Sequence, residues 1–483
     1  VAEIPSQHAS AGVELDPQIA AHLRHAGQSH LLVAWGLLDT GLRSTLAAEL
    51  SRIDWELLAE MQRLVADRAA GTTTAESLPD LARASTPPCL LFGDPANAIP
   101  PAAASDCGGQ MLAAGAVGAI LVAGGQGSRL GYDGPKGLYP IGPVSRATLF
   151  HVLLGKLGAV RRKYGRDVPL AIMTSSATDD ATRRFLAREN FCGLDPDHVF
   201  VFRQADLPAL DAATGQMLRD QPGRLALAPD GHGGMLTALA ASGGLSWFAE
   251  RGVEDVASFQ VDNPLAMPLH PEFLGYHRLA AADFSTQVVR KREPGERVGV
   301  VAECDGVHRV IEYSDLPAAL AAERLPDGRL RFDAGSIAVH AFARRFLDGA
   351  AASRDALPLH LAFKAVPFVD NRGERIVPRA PNAIKFERFI FDLMPLAGRV
   401  CVMEIDARDG FAPLKNAPGA AADTAAHVHA ALVSHARRML ARRGIDAADG
   451  IDVELDAARI VDEHDIPLPP GTRIETPTIV GAG

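Results

Sequence analysis

From Ala116 to Val122 the chain runs apolar without interruption and then breaks into Ala123-Gly124-Gly125-Gln126-Gly127. An apolar run this short, with no polar alternation, suits a strand buried on both faces. Glycines at its end let the backbone turn tightly and approach another group closely. Strands of this kind lie in parallel sheets, where successive strands need a crossover connection, usually a helix. The chain repeats the pattern. Thr148 to Tyr164 reads as a helix, Pro169 to Thr174 as a second buried strand, and a helix follows from Asp179. His198 to Phe202, Val256 to Val261 and Val298 to Ala302 read as further strands. Over residues 115–400 this alternation implies an α/β fold with a mostly parallel sheet covered on both faces.

The flanks read differently. Residues 16–85 are expected to be helical, with Leu31, Leu32, Ala34, Trp35, Leu37 and Leu38 at helical spacing and Asp54 as an N-cap before Glu56. A proline-rich stretch, Thr86 to Pro101, is expected to link to the next domain and wrap it. After a strand from Arg399 to Ile405, a helix is expected from Ala421 to Arg443. Its end carries Arg437, Arg438, Arg442 and Arg443 before Gly444, which suits the negative end of the dipole and a left-handed stop. The tail has two short β-like pieces, Val453 to Leu455 and Ile460 to Val461. The expected division is 1–110 (helical region and linker), 111–400 (central α/β domain) and 401–483 (small α+β region).

Composition narrows the function classes. Lys plus Arg number 48 against 58 Asp plus Glu, a net charge of −10, which argues against a general nucleic-acid binder. A local basic pocket for an anionic small molecule stays open. The five cysteines, Cys89, Cys107, Cys192, Cys304 and Cys401, form no CxxC pair, so a reducing compartment is expected. Val1 to Pro5 has no basic region before an apolar run, and Met111 to Gly125 is too short to span a bilayer. The expectation is a cytoplasmic protein with no membrane segment.

The chemistry concentrates in Leu121 to Gly131, followed by Pro135-Lys136-Gly137. Glycines let backbone N–H groups come close to a phosphate, and Arg129 and Lys136 add positive charge. The spacing is neither that of a P-loop nor that of a dinucleotide fingerprint. Asp262 ends the apolar strand Val256 to Val261, and a carboxylate at the carboxyl end of a buried strand is well placed for a Mg²⁺ (or Mn²⁺) that bridges phosphates. His427 and His429, two apart on a helix, do not share a face and are not expected to bind metal. His270 and His277 read as surface or supporting residues, and Ser175-Ser176 lacks a nucleophile elbow.

The glycine segment resembles the signature loop of the eukaryotic-type UDP-sugar pyrophosphorylase family, most closely its acetylglucosamine members. Ala228 to Gly234, Gln260 to Pro264, Val310 to Ser314, Pro381 to Glu387 and Ala412 to Asn416 look like further family motifs in the same order. His30-Leu31-Leu32 and Ile53-Asp54 resemble the family's N-terminal helical region, so the likeness spans roughly residues 28–440. It implies a Rossmann-like nucleotide-sugar transferase fold of the GT-A type, a central mixed sheet flanked by helices. It also implies a uridylyltransferase that takes UTP and a sugar 1-phosphate and gives UDP-sugar and pyrophosphate. By resemblance, Val122, Ala123, Gly124, Gly125, Gln204, Gly231, Asp262 and Lys385 hold the nucleotide. Arg129 and Lys136 carry catalysis, and His232, Glu312, Tyr313, Asp333, Ser336 and Lys415 face sugar or phosphate.

The chain departs from the family at the sugar side. The acetylglucosamine enzymes carry Asn where this chain has His232, and the glucose-type enzymes look like Gly-His-Gly-Asp there, so Gly231 to Gly234 is a hybrid. Phe332 to Ile337 matches an Asn-Ala-Gly-Asn segment, with both Asn positions changed, to Asp333 and Ser336. Buried sugar hydroxyls must be matched by hydrogen bonds, so such changes bear on the sugar and not on the reaction. The expected sugar is N-acetylglucosamine 1-phosphate, with glucose or galactose 1-phosphate or broad specificity as the alternative. A non-catalytic UDP-sugar sensor is the rival from another class. Such a sensor could lose Arg129, Lys136 or Asp262, and this chain keeps all three.

Overall fold

The computed structural model describes residues 13–71 and 81–481, and the chain divides into two interleaved units. The larger unit comprises residues 78–204, 232–357 and 389–483; the smaller comprises 1–77, 205–231 and 358–388. Neither is a contiguous segment, and nothing in the sequence pattern marks this interleaving.

The larger unit is an α/β structure built on a ten-stranded mixed sheet. In chain order its strands are β1 (Leu90–Leu91), β2 (Val117–Val122), β3 (Leu170–Thr174), β4 (Val199–Arg203), β5 (Asp255–Gln260), β6 (Phe284–Arg290), β7 (Val300–Cys304), β8 (Val307–Ile311), β9 (Ala334–Ala343) and β10 (Val400–Ile405). The spatial order is β1-β10-β6-β9-β5-β2-β3-β4, with β7 joined to β9 and β8 paired with β7. Along that order every pair is parallel except those of β9, which runs antiparallel to both β5 and β6. Like β1, β6 and β8, β9 is a strand that sequence reading did not anticipate. It is buried along most of its length, so no alternation marks it, and it includes Gly335, Ser336 and His340. The proline-rich stretch contributes β1 as an edge strand, with Leu90 opposite Met403.

Successive residues of β2 serve opposite faces, as the period of two requires. Val117, Ala119 and Leu121 join a core with Phe150, Leu153, Phe273 and Tyr276, while Ile120 joins a second core with Phe202, Met235, Phe248 and Phe342. Four helices matter below: α1 (Pro101–Ala114), α2 (Leu149–Tyr164), α3 (Pro271–Leu279) and α4 (Ala425–Arg442). Thr148 starts α2 as expected, its hydroxyl accepting the His151 N–H. Register carries the design toward one edge. Gln260 lies opposite Val122 and Val122 opposite Met173, so β2, β3 and β5 end together.

The C-terminal segment has a small core of its own, including Met439, Leu440, Val453 and Val480. Val453–Leu455 pairs in parallel with Thr478–Val480. Ile460 and Val461, expected as a β-like piece, form no strand, because the Asp456 carbonyl accepts the N–H groups of Arg459 and Ile460 and closes a turn. Of the arginines ending α4, Arg437 donates to the carbonyls of Ala447, Ala448 and Ile451, and Arg438 and Arg442 bind Asp409. Among the described residues no helix is long and apolar enough to cross a membrane.

The smaller unit packs helices Pro17–His25, Ser29–Leu37, Thr40–Leu50 and Trp55–Ala70 with the sheet His360–Lys364, Ala383–Glu387 and Leu210–Asp211. Leu23, Leu46, Leu58 and Met61 share its core with Leu207, Ile384 and Phe386. Asp54 caps the last helix by accepting from the Glu56 and Leu57 N–H groups. The helical reading of 16–85 therefore holds to Ala70. Residues 72–80 lie outside the described residues, and 81–85 form a turn and a bridge to Glu303.

Candidate active site

At the end of β2 the chain is stitched to its neighbours: Ala123 N–H donates to Met173 O at 2.8 Å, and Val261 N–H to Val122 O at 3.0 Å. The glycine loop then folds back on itself. Gln126 bridges Pro135, Gly127 N–H reaches Gly134 O at 2.8 Å, and Lys136 N–H reaches Gly125 O at 3.0 Å. Arg129 rides outward on the turn Ser128–Leu130 and is exposed. Lys136 is returned to the root of the loop. Its Nζ stands 3.7 Å from Asp262 Oδ2, with the two side chains 18% and 13% exposed. Two residues distant in sequence thus meet, Lys136 from the glycine loop and Asp262 from just beyond β5.

Asp262 is fixed through its backbone. Its carbonyl accepts the Leu414 N–H at 2.8 Å, which brings the Pro-Leu-Lys-Asn motif beside it. Buried Asn263 adds a second tie: Nδ2 donates to Gly410 O at 2.9 Å, and Oδ1 accepts from Ala412 N–H at 3.0 Å. Sequence reading quoted Asn263 within a motif but gave it no role. Lys415, next to Leu414, is exposed and lies 5.9 Å from the Phe411 ring.

Gln204 is buried at the end of β4, its N–H donating to Thr174 O at 3.0 Å. Its amide lies against the glycine loop so closely that a Cβ on Gly124 would sit 2.5 Å from Nε2. Its Oε1 is buried with no hydrogen-bond partner among the described residues. Leaving such an acceptor unsatisfied costs about 1–3 kcal/mol, so the amide is set for a group from outside the chain. Ser175, not expected to be a nucleophile, braces the loop instead: Oγ donates to Gly124 O at 2.7 Å.

His232 stacks on Phe389 at 5.2 Å, and its Nδ1 accepts the Ile390 N–H at 3.2 Å. On β9, buried His340 meets Thr286 Oγ1 at 3.1 Å. Burial, reinforced by His232, pushes the His340 pKa down to about 3, so its ring is neutral.

The sugar-side residues gather around the start of β9. Asp333 is 5% exposed, with Oδ2 3.9 Å from Arg290 Nε and 3.7 Å from Arg329 Nη1. Its N–H donates to Thr86 Oγ1 at 3.0 Å and its carbonyl accepts from Lys291 N–H at 2.7 Å. Ser336 N–H donates to Gly299 O at 2.8 Å, and Glu312 Oε1 lies 3.0 Å from where a Gly299 Cβ would be. Glu312 and Ser336 are thus brought to one glycine, while Tyr313 is 49% exposed.

Two predicted residues belong to the smaller unit. Gly231 has φ +76°, and a Cβ there would lie 2.5 Å from Arg388 O, so glycine is required twice over. Lys385, half-buried, lies opposite Ala362 in the strand Ala383–Glu387. Between the two sits buried Asp230, 3.3 Å from Arg388, its pKa raised by burial to about 6 against the opposing guanidinium.

His427 Nδ1 pairs with the capping Thr424 Oγ1 at 2.7 Å, while His429 lies 3.2 Å from Asp452, so the two histidines diverge. His277 is more deeply placed than a surface residue: it is 1% exposed, between Ser285 Oγ at 2.7 Å and Asp255 at 3.3 Å.

Residues 107–431 match the protein family described as UTP–glucose-1-phosphate uridylyltransferase. The UDP-N-acetylhexosamine pyrophosphorylase-like protein 1 of Homo sapiens is 36% identical over 466 residues, which cover 94% of this chain and 88% of that protein. The UDP-N-acetylglucosamine pyrophosphorylase of Saccharomyces cerevisiae is 34% identical over 359 residues, 72% of this chain and 74% of that one. A solved structure of the uridine diphosphate N-acetylglucosamine pyrophosphorylase from Trypanosoma brucei in complex with inhibitor matches with a TM-score of 0.78 at 25% identity. It covers 94% of this chain and 95% of that chain.

Proposed function

The chain belongs to the UTP–glucose-1-phosphate uridylyltransferase family, and from that premise we propose that it makes a UDP-sugar and pyrophosphate from UTP and N-acetylglucosamine 1-phosphate. In this reaction a phosphate oxygen of the sugar 1-phosphate attacks the α-phosphorus of UTP. The bond from that phosphorus to the bridging oxygen breaks, and pyrophosphate leaves with the electron pair. Little covalent chemistry falls to the protein, which must align the two substrates and neutralise charge.

The observation that carries the reading is the Lys136–Asp262 pair, which joins the return of the glycine loop to the residue just beyond β5. The backbone of Val122, Ala123, Gly124 and Gly125 receives the nucleotide. Gln204 reads the uracil edge, since an amide offers both donor and acceptor, and its buried, unpartnered Oε1 supports this role. Lys136 neutralises charge on the triphosphate, and exposed Arg129 joins it on the leaving pyrophosphate.

Mg²⁺, or Mn²⁺, fits Asp262. A partly exposed carboxylate that draws an ammonium to 3.7 Å is a hard oxygen donor where cationic charge is stabilised. One carboxylate completed by phosphate oxygens and water is an ordinary shell for Mg²⁺. Asp262 would hold such an ion, whose charge would offset that of the phosphates, and Leu414 and Asn263 keep Asp262 in place.

Glu312, Tyr313, Asp333, Ser336 and His232 are assigned to the sugar and Lys415 to its phosphate. The names of the relatives support an N-acetylhexosamine substrate. Five free cysteines support a reducing compartment, the cytoplasm.

The test is pyrophosphate release from the purified protein with UTP and Mg²⁺, across the 1-phosphates of N-acetylglucosamine, N-acetylgalactosamine, glucose and galactose. Fastest release with N-acetylglucosamine 1-phosphate is expected. Faster release with glucose 1-phosphate overturns the sugar assignment. No release with any of them, from a protein that still binds UTP, overturns the enzyme reading in favour of a sensor.

A further inference from the structure

α2 presents a second lysine to the loop that carries Asp262. Lys156 Nζ donates to the carbonyls of Pro264 at 2.6 Å and Ala266 at 2.9 Å. These are the only hydrogen bonds that either carbonyl receives among the described residues. The lysine stands in the wall of a cavity of about 120 Å³, lined mostly by apolar side chains such as Val152, Leu153, Phe259, Leu265, Leu432 and Met439. No carboxylate pairs with it among the described residues. Glu454, on the same wall, is taken up by the N–H groups of Val144 and Ser145 at 2.7 and 2.8 Å.

An amine without a counter-ion among apolar groups is unfavourable, and burial pushes its pKa down to about 7. A methionine would fill the same space without that penalty. What the amine achieves is the hydrogen bonding of two loop carbonyls at once. Pro264 cannot contribute an N–H of its own to fix the loop. The segment Asp262–Met267 is held by its own Asn263, bonded to the 410–412 turn, and by two side chains from other elements, Gln287 Nε2 to Met267 O at 3.0 Å and Lys156 from α2. Neither Asn263 nor Gln287 reaches the carbonyls of Pro264 and Ala266.

We infer that Lys156 is a positioning residue for the Asp262 carboxylate, clamping its loop so that the carboxylate stays opposite Lys136. This rests on the proposed role of Asp262 at the phosphates and its metal. Removal of a group that orients a ligand typically changes metal affinity or activity by about 10–100-fold.

The experiment compares wild type, Lys156→Met and Lys156→Arg in two readings. The first is the Mg²⁺ concentration giving half-maximal pyrophosphate release; the second is amide hydrogen exchange without substrate. Lys156→Met is expected to raise the Mg²⁺ requirement about tenfold, with the KM for sugar 1-phosphate unchanged. The Leu265, Ala266 and Leu414 amides, which bond within or onto the loop, are expected to exchange faster, while those of β3 keep their rates. Lys156→Arg, whose added volume the cavity accepts, is expected to restore both readings. Unchanged Mg²⁺ requirement and unchanged loop exchange in Lys156→Met overturn the inference. So does a uniform rise in exchange across the sheet, which marks a merely structural role. If Lys156→Met does not fold, Lys156→Gln is put to the same readings. If wild type releases no pyrophosphate, the functional reading falls, and exchange alone decides whether Lys156 clamps the loop.

Discussion

Within the larger unit, the glycine loop after β2 and the start of β9 are built on different principles. The glycine loop is shaped by backbone: Gly127 on Gly134, Lys136 on Gly125, Ala123 on Met173. Its ion pair, Lys136 with Asp262, stands at 3.7 Å and is partly open. The start of β9 has backbone ties too, Lys291 N–H on Asp333 O and Ser336 N–H on Gly299 O, but there charged side chains cluster as well. Asp333 faces Arg290 and Arg329, and Arg290 also donates to Glu404 at 2.9 Å. Backbone-shaped loops need particular residues at few positions, chiefly glycine, and leave side chains available to a ligand. A region held by side-chain pairs can change its chemistry by exchanging partners. The departures from the family at Asp333 and Ser336 fall in that second region, and the loop signature is intact.

The largest effect expected is on the first region. Lys136→Ala and Asp262→Ala should each lower kcat by about 10²–10³-fold, the scale of losing one group that stabilises developing charge. Melting temperature should barely change, since the structural ties of Asp262 run through its carbonyl and through Asn263. Retained turnover in both variants breaks the comparison, because the loop would then be scaffold alone.

A subtler variant tests the shape of the loop. Gly124→Ala places a methyl 2.5 Å from Gln204 Nε2, and the side-chain end can yield more easily than the backbone. Displacement of that amide should raise the KM for UTP by about tenfold, with kcat less affected, the pattern of lost ground-state binding. A KM equal to wild type means that Gln204 does not read the base.

The smallest effect belongs to the second region. Asp333→Asn keeps the shape but loosens the pairing to Arg290 and Arg329, and matches the residue type that the family resemblance carries. The ratio of kcat/KM for N-acetylglucosamine 1-phosphate over glucose 1-phosphate should rise by about 3–10-fold. No change in that ratio shows that Asp333 serves the arginines and not the sugar.

Much of this was legible in the sequence. Val117–Val122 and Leu170–Thr174 announce themselves because strands buried on both faces are nearly continuous apolar runs, and Asp255–Gln260 keeps part of that pattern in Val256, Ala257 and Phe259. β9 did not, since its Gly335, Ser336 and His340 interrupt any such run. Lys136 and Asp262 were chosen from motif and strand end, and the structure brings them together. Gln204 could be named only through resemblance, because a glutamine after a strand is ordinarily solvated. Lys156 left no signal: a lysine on a helix reads as a surface residue, and nothing local shows that Pro264 and Ala266 will arrive beneath it.

The sequence by itself determined the kinds of elements, the position of the glycine turn and the residue types that suit a polyphosphate. Those follow from backbone sterics, side-chain period and charge, which act over a few residues. Only the tertiary structure decided that Lys136 faces Asp262, that Gly124 must stay bare beside Gln204, and that Lys156 ties the loop that carries Asp262. Those pairings depend on which strands lie side by side and which faces are buried, and such order arises from contacts between segments far apart in the chain.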